Sequence, residues 1–471
     1  AENKIQIIGS TVYQYEFCLF PLNNELSPKI SKAFQKFIKA PESPDDSHQI
    51  KKWILITPDH EIDDPEWLSS VKKQLQRKSK KEFDLEHWGH NKLISLFKQS
   101  PALCLFYYPE LLENGSERKN NIENTTPRYR ENLIKLYHNI DFVGMSVYKP
   151  EAAKGIPMEN IYIPLKVVPS GADEKDDSVP RTNPVKFLSP VLSTGACHVI
   201  LGDPGSGKST LLKFLALSGI SKALQERYQT KADKRLPILV ILRRYADELK
   251  TRTNLSLPDY ILEKTNADFS LDDANPEFFK YYLETGQAIL LFDGLDELAS
   301  QYKKIVKDRI NSLITTYPGN ITIVSSRIVG YDHPFRFDEK QFSHYRVAKL
   351  QLPEMSQFVK DWYAVRIEHK KAREENEQDL IRILQSPDHK AIHKLAENPL
   401  LLTIITLVHR IDAVLPDERV VLYQKCTETL LNTWHTWKFR QTDVRNRSKI
   451  ERRNRRRMEV IAEWMHQRMS G

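Results

Sequence analysis

The stretch HVILGDPGSGKSTLLKFLAL, residues 198–217, joins two apolar runs through a short segment rich in glycine. Residues 202–209, here called the glycine loop, match G-x-x-x-x-G-K-[ST] at every fixed position. Between a strand and a helix, such a loop directs backbone N–H groups into one concavity that binds phosphate. The residues predicted to bind nucleotide phosphates are Gly202, Asp203, Pro204, Gly205, Ser206, Gly207, Lys208, Ser209 and Thr210.

Two side chains of this loop have predicted roles of their own. Lys208 can reach the β- and γ-phosphates, and the Ser209 hydroxyl can bind Mg²⁺. The alternative is a glycine-rich turn that matches by chance. The flanking apolar strand and amphipathic helix favour nucleotide binding. The low glycine content points the same way, because a chance match to this pattern is rare in a chain with only 16 glycines.

A second motif, AILLFDGLDEL at residues 288–298, has the features expected of a second strand that contributes acidic residues to the same nucleotide site. Asp293 ends an apolar run, and ligands of open α/β sheets bind at the carboxyl ends of strands. We predict that Asp293 holds Mg²⁺ and that Asp296 or Glu297 orients or activates a water for hydrolysis. Taken alone, the motif could also be a strand followed by a solvated acidic turn.

Two further segments leave their roles open. ITIVSSR at residues 321–327 ends in Arg327, which either senses the γ-phosphate charge or is an ordinary surface arginine after a strand. ENPLLLTIITLVH at residues 397–409 places Pro399 at the start of an apolar helix, where proline is common. The residues alone indicate a core helix there.

Composition limits the class of protein. The 471 residues carry a formal charge of +8, which permits a nucleic-acid partner without requiring one. The arginine-rich run at 440–457 fits a polyanion patch or, more commonly, a solvated helix face. The four cysteines lie far apart and predict reduced thiols in a cytoplasmic protein. With no apolar run of membrane-spanning length, we expect no membrane partner.

The order of strand-like and helix-like segments predicts an α/β chain. Residues 1–113 contain strand-like runs at Ile5–Ile8, Trp53–Thr57 and Leu103–Tyr107 among helical segments. The polar stretch 114–127 is predicted to be a linker. Alternating strands and helices from 188 to about 345 predict a mainly parallel sheet, and the chain beyond 350 is predicted to be mostly helical.

These motifs, in this order, resemble the NACHT family of signal-transducing NTPases, which includes NOD-like receptors and bacterial anti-phage relatives. The similar pieces are NIYIPLKV, the glycine loop, LPILVILRRYADEL, AILLFDGLDEL, ITIVSSR, LPEMSQFVKDWY, NPLLLTIITLVH and LYQKCTETLLNTW, across about 130–470. The resemblance implies a switch in innate or anti-phage defence that is closed with ADP and oligomeric with ATP. It also implies that Arg327 is the sensor arginine and that Pro399 packs near adenine.

On this basis the predicted fold class is α/β, a P-loop NTPase sheet with further domains on either side. The predicted divisions are an effector-like α/β domain at 1–113, a linker and pre-NTPase segment at 114–187, the NACHT domain at 188–348, a helical domain at 349–414 and an incomplete winged-helix domain at 415–471. The family's C-terminal sensor has no counterpart here, so we expect the trigger ligand to be read outside these residues.

The N-terminal region bears a weaker resemblance to restriction-endonuclease-like domains, through VYQYEFCLFPLNNELSPKISKAFQKF, KWILITPDHEIDDPEWL, HWGHNKLISLF and SPALCLFYYPEL. Such nucleases need a carboxylate pair and a lysine around Mg²⁺. Here the expected motif would be Gln14-Tyr15-Glu16, with glutamate at the lysine position. A non-cutting domain that recruits or assembles is therefore at least as well supported as a nuclease.

Three functions remain open from the sequence. The first is a slowly hydrolysing ATP switch, and the second is a conventional P-loop ATPase whose product is turnover. The third is a nucleotide-gated scaffold that binds without cleaving. A switch should hydrolyse slowly and retain its product, so the turnover rate separates it from the conventional enzyme.

Overall fold

The computed structural model describes most of the chain beyond residue 84 and short pieces before it. The described residues are 4–8, 11–15, 52–56, 66, 69–70, 72–73, 76–77, 84–140, 155–172, 179–188, 195–269, 276–412, 424, 427 and 444–469. The chain divides into two compact units, Ala1–Asn120 and Asn121–Gly471.

The described residues of the first unit include two pairs of short strands. Strands β1 (Lys4–Ile8) and β2 (Thr11–Tyr15) pair antiparallel. Strands β3 (Lys52–Ile56) and β4 (Asp84–Trp88) pair in parallel, and helix α1 (His90–Gln99) follows β4. The strands predicted from the apolar runs near β1 and β3 are confirmed.

The strand predicted at Leu103–Tyr107 is wrong, because this run forms helix α2 (Pro101–Tyr107). Pro101 stands in the first turn, where its fixed φ favours a helix and its missing N–H costs nothing. The backbone N–H of Tyr108 donates to the carbonyl of Cys104 over 2.7 Å, which continues the helical bonding. A short apolar run has too few residues for its period to distinguish a strand from a buried helix.

The polar stretch predicted to be a linker, 114–127, is also different in the structure. It forms the first half of helix α3 (Gly115–Tyr137). One stripe of this helix is buried, namely Ile122, Thr125, Thr126, Tyr129, Leu133 and Tyr137. Because this one stripe packs while the rest of the helix faces solvent, a polar composition did not prevent a stable helix here.

A short strand pair and a helical turn follow α3. Strand β5 (Asn139–Ile140) pairs antiparallel with β6 (Ile156–Pro157), and α4 (Met158–Ile161) continues directly from β6. The Tyr162 ring, just after α4, stacks on Phe214 with 4.2 Å between ring centroids. This stacking attaches the segment to the helix that follows the glycine loop.

A six-stranded sheet forms the centre of the second unit, in the order β7-β12-β8-β11-β10-β9. Its strands are β7 (Val167–Pro169), β8 (Cys197–Leu201), β9 (Leu236–Ile241), β10 (Ala288–Asp293), β11 (Ile321–Ser326) and β12 (Phe342–Val347). All neighbouring pairs are parallel except β7 with β12. The predicted fold class, an α/β P-loop NTPase with a mainly parallel sheet, is confirmed.

Helices connect the strands of this sheet. They are α5 (Lys208–Ser218), α6 (Lys222–Tyr228), α7 (Leu242–Leu249), α8 (Leu257–Phe269), α9 (Pro276–Glu284) and α10 (Ser300–Thr316). Strands β8, β11 and β10 are adjacent and parallel, so their carboxyl ends meet at one edge. The glycine loop follows β8, Asp293 ends β10 and Arg327 follows β11, so the three are brought together.

Beyond the sheet the described chain is helical, as predicted. The helices of this segment, residues 352–412, are α11 (Leu352–Arg366), α12 (Lys370–Gln385), α13 (Lys390–Ala396) and α14 (Pro399–Asp412). Buried His409 joins three of them. Its Nδ1 lies 2.6 Å from the Tyr363 hydroxyl and its Nε2 lies 3.1 Å from Asp379 Oδ2.

The last described helix is α15 (Val444–Met469), whose described side chains are exposed. The arginines of the run at 440–457 whose side chains are described are exposed on this helix, which fits both a polyanion patch and a solvated helix face; they are Arg452, Arg453, Arg455, Arg456 and Arg457. Most of the rest of the predicted winged-helix domain, like Arg440, lies outside the described residues. None of the helices in the described part of the chain is long and apolar enough to cross a membrane.

Candidate functional site

The glycine loop turns sharply between β8 and α5. Gly205 and Gly207 have φ angles of +77° and +86°, in the left-handed region that favours glycine. The Ser206 N–H donates to the Asp203 carbonyl over 3.1 Å, and α5 begins at Lys208 with Gly207 as its N-cap. The positive end of α5 therefore lies beside the loop, in the arrangement that binds anions.

Two of the glycines are also closely packed, Gly205 against the Cβ of a leucine and Gly207 against the end of a flexible leucine side chain. A Cβ atom on Gly205 would lie 2.8 Å from Leu400 Cβ, and one on Gly207 would lie 2.8 Å from Leu165 Cδ1. Both distances are shorter than side chains tolerate. The loop is therefore packed against α14 on one side and against the segment after α4 on the other.

Lys208 reaches back across the loop. Its Nζ donates to the carbonyl of Gly202 over 2.7 Å and to that of Asp203 over 3.1 Å. Burial lowers the pKa of Lys208, although nearby carboxylates, Asp296 foremost, oppose that shift. A single cation held among loop carbonyls is suited to neutralising the charge of a bound phosphate.

Asp293 is held in place by a residue that the sequence analysis missed. The hydroxyl of Ser325 donates to Asp293 Oδ1 over 2.6 Å and accepts from the Gly294 N–H over 2.9 Å. Ser325 is fully buried at the end of β11. Its position two residues before Arg327, on the strand beside β10, was the signal available in the sequence.

Asp296 and Arg327 form a pair. Arg327 Nε lies 2.8 Å from Asp296 Oδ2, and the Arg327 backbone N–H donates to Oδ1 over 3.0 Å. The Asp296 side chain is 9% exposed and that of Arg327 is 50% exposed. Asp296 thus holds the end of β11 in position, and both of its carboxylate oxygens are engaged.

Glu297 differs from Asp296 in having no hydrogen-bond or ion-pair partner among the described residues. Partial burial raises the pKa of Glu297, and repulsion from Asp293 and Asp296 adds to the increase. A carboxylate with a raised pKa and free oxygens is a better proton acceptor than one engaged by arginine.

These residues surround a cavity of about 690 Å³ that extends from the sheet edge to the helical segment. Its polar wall contains Pro204, Gly205, Gly207, Lys208, Ser209, Thr210, Asp293, Asp296, Glu297, Ser325 and Arg327. Gly202, Asp203 and Ser206 contribute to the loop but do not line this cavity. Ser206 is buried with its hydroxyl towards Gly202, and Asp203 lines a neighbouring cleft.

The apolar wall of the cavity, formed by its hydrocarbon side chains, was largely unpredicted. It contains Ile140, Ile161, Ile163, Leu165, Leu350, Phe358, Pro399 and Leu400. Pro399, which the family resemblance placed near adenine, does line the cavity. Side chains of this kind suit a flat, weakly polar ring system.

Asn398 is a second residue that the sequence analysis missed. Its Nδ2 donates to the Pro204 carbonyl over 3.0 Å, and its Oδ1 accepts from the backbone N–H of Leu400, also over 3.0 Å. The Leu400 N–H also lies 3.2 Å from the Gly205 carbonyl. The start of α14 is therefore bonded directly to the glycine loop.

Metal binding at this cavity depends on oxygen ligands. Among the described residues there is no group of three or more His, Cys, Asp or Glu side chains that could hold an ion. Ser209 and Asp293 line the same cavity, and hydroxyl and carboxylate oxygens are ligands that Mg²⁺ accepts alongside phosphate oxygens. These two side chains fit a metal that is bound together with nucleotide.

A family model matches the segment that contains the glycine loop, Asp293 and Arg327. Residues 197–366 match the family model described as NACHT domain. No curated protein matches the chain. The solved structure titled "Structure of C. elegans PCH-2" is 12% identical to this chain, with a TM-score of 0.26. The similarity covers 52% of this chain and 64% of that chain, so it spans less than two thirds of the length of the solved structure. The matched segment is a P-loop NTPase domain, a class that binds and hydrolyses nucleoside triphosphates.

Proposed function

We propose that this protein is an ATP-binding, slowly hydrolysing signalling switch of the NACHT type. The observation that carries the proposal is the cavity, whose polar wall belongs to the sheet and whose apolar wall includes the helical segment. A nucleotide between these walls contacts both segments. Its release then requires them to separate, which favours retention of product over rapid turnover.

The polar wall supplies the chemistry of this proposal. The loop amides and Lys208 bind the phosphates, while Ser209 and Asp293 would hold Mg²⁺, which neutralises charge on the phosphate oxygens. Glu297 accepts the proton of the attacking water. Asp296 keeps Arg327 at the cavity wall, where its guanidinium responds to the charge of a terminal phosphate.

The apolar wall binds the base. Pro399 and Ile163 lie among its aliphatic side chains. The preference for adenine comes from the family resemblance. The hydrocarbon side chains of this wall can contact a flat ring on its faces, but they do not distinguish one purine from another.

The outputs of the switch are likewise proposed from the resemblance. They are assembly into a homo-oligomer when ATP replaces ADP, a role in innate or anti-phage defence, and an effector function for the N-terminal region. We favour recruitment over nucleic-acid cleavage for that region, because Glu16 stands where the lysine of the nuclease motif belongs. Gln14 lies in β2, and Glu16 lies outside the described residues.

Identification of the bound nucleotide tests the switch directly. Freshly purified protein is denatured, and the released nucleotide is identified by ion-exchange chromatography. We expect stoichiometric ADP that exchanges slowly. An empty site with rapid ATP turnover would support the conventional ATPase, whereas an ATP-dependent change in size without phosphate release would support the scaffold.

A further inference from the structure

The junction between the glycine loop and helix α14 contains more than a packing contact. The Asn398 amide group uses both of its ends. Its Oδ1 accepts from the N–H groups of Leu400 and Leu401 over 3.0 and 3.3 Å and so caps α14. Its Nδ2 donates to the Pro204 carbonyl over 3.0 Å.

Only an amide performs both tasks at this position. An aspartate has the oxygen that caps a helix but no N–H to donate, an alanine has neither group, and a serine has a single oxygen where Asn398 uses two separate atoms. Helix capping alone is well served by Ser, Asp or Asn. The loop bond is therefore the part of the arrangement that specifically requires asparagine.

The bond to Pro204 also constrains the next residue. In a planar trans peptide, the carbonyl of one residue and the N–H of the next point in opposite directions. Holding the Pro204 carbonyl therefore sets the direction of the Gly205 N–H. The Gly205 carbonyl in turn lies 3.2 Å from the Leu400 N–H, so two successive peptide groups of the loop are oriented by the start of α14.

We propose that Asn398 is a positioning residue that couples the conformation of the glycine loop to the docking of helix α14. The inference rests on the proposed function in one respect, that the loop holds nucleotide phosphate. Coupling between two sites is reciprocal. Phosphate binding that orders the loop then strengthens docking of α14, and undocking of α14 weakens phosphate binding.

Other contacts between the sheet and the helical segment provide a matched control. Arg227 on α6 donates from Nη2 to both carboxylate oxygens of Asp361 on α11, over 3.0 and 2.8 Å. This pair joins the same two segments, and neither residue lines the nucleotide cavity. Its loss tests general closure without disturbing the loop.

The decisive variant is Asn398→Asp, which keeps the capping oxygen and removes the donor to Pro204. Two quantities are measured on the full chain. The first is the release rate of a fluorescent ADP analogue, and the second is amide hydrogen exchange across residues 203–207 without nucleotide. We expect release about five- to tenfold faster, as for loss of one hydrogen bond, and faster loop exchange. Arg227→Ala should change neither by more than about twofold.

Three outcomes would overturn the inference. These are release and loop exchange in Asn398→Asp that match the wild type, equal acceleration by Arg227→Ala, and an effect seen only in Asn398→Ala, which would indicate capping alone. If the wild type binds no ADP, the proposed function fails instead. Amide exchange across 203–207 still decides whether Asn398 orders the loop.

Discussion

The polar and apolar walls of the cavity are assembled from the chain in different ways. Most of the polar wall comes from three short stretches that each follow one of the parallel strands β8, β10 and β11. The apolar wall gathers single side chains from the segment near α4, from residues around α11 and from α14. The first arrangement follows from local motifs, whereas the second exists only after the helical segment has packed.

This difference separates two kinds of nucleotide contact. Charge and backbone N–H groups on the polar wall respond to the number of phosphates. Hydrocarbon surface on the apolar wall contributes binding free energy in proportion to the area that is buried, and this contribution does not depend on the number of phosphates. Variants of the two walls should therefore have distinguishable signatures.

The largest effect is expected on the polar wall, from Lys208→Ala. Removing a cation that bonds phosphate should lower the affinity for ADP and ATP by more than about a hundredfold. The fold should persist, because the hydrogen bonds that Nζ makes among the described residues reach only loop carbonyls. Fluorescence titration and thermal unfolding measure the two properties.

Lys213→Ala is the control for this prediction, since Lys213 lies on the same helix with its Nζ over the Tyr137 ring. It should bind nucleotide like the wild type. An unfolded Lys208→Ala protein, or one with unchanged affinity, would contradict the role given to the polar wall.

A second polar-wall variant, Glu297→Gln, should reduce single-turnover hydrolysis by about a hundredfold while ADP affinity stays within about twofold. The pH dependence follows from the raised pKa of Glu297. Only the carboxylate accepts a proton, so hydrolysis should fall as pH drops through that pKa, at a pH above the usual glutamate value of about 4.3. The glutamine variant should lack this acidic limb.

The exposed ion-paired Glu263 offers a comparison, because Glu263→Gln should leave both the rate and the pH profile unchanged. If Glu297→Gln retains the full rate, Asp296 would have to act as the base despite its bonds to Arg327.

The smallest effect is expected on the apolar wall, from Ile163→Ala. Losing part of the hydrocarbon surface that contacts the base should lower the affinity for ADP and for ATP about five- to twentyfold. The loss should be the same with and without Mg²⁺. Titration at both metal conditions measures this, with Ile305→Ala on the exposed side of α10 as control. A loss of affinity that depends on Mg²⁺ or on the number of phosphates would contradict the proposed difference between the two walls.

The motifs could be predicted from the sequence, but the interactions between them could be predicted less well. Asp296 and Glu297 were interchangeable candidates in the sequence, since each is an acidic residue after β10. The structure distinguishes them because the loop after β11 brings Arg327 to Asp296 and leaves Glu297 free of such a bond. Likewise, the apolar run ending at Tyr107 could not be identified as a helix before its packing was known.

The sequence by itself determined the parallel α/β sheet, the glycine loop and the placement of Asp293 at the same edge as that loop. It could do so because these features depend on short-range patterns: apolar strands, glycines at fixed spacing and parallel strands whose ends coincide. Only the tertiary structure decided the apolar wall, the support of Asp293 by Ser325 and the bond from Asn398 to Pro204. The last joins residues 194 positions apart, and such a contact follows from packing that no local pattern encodes.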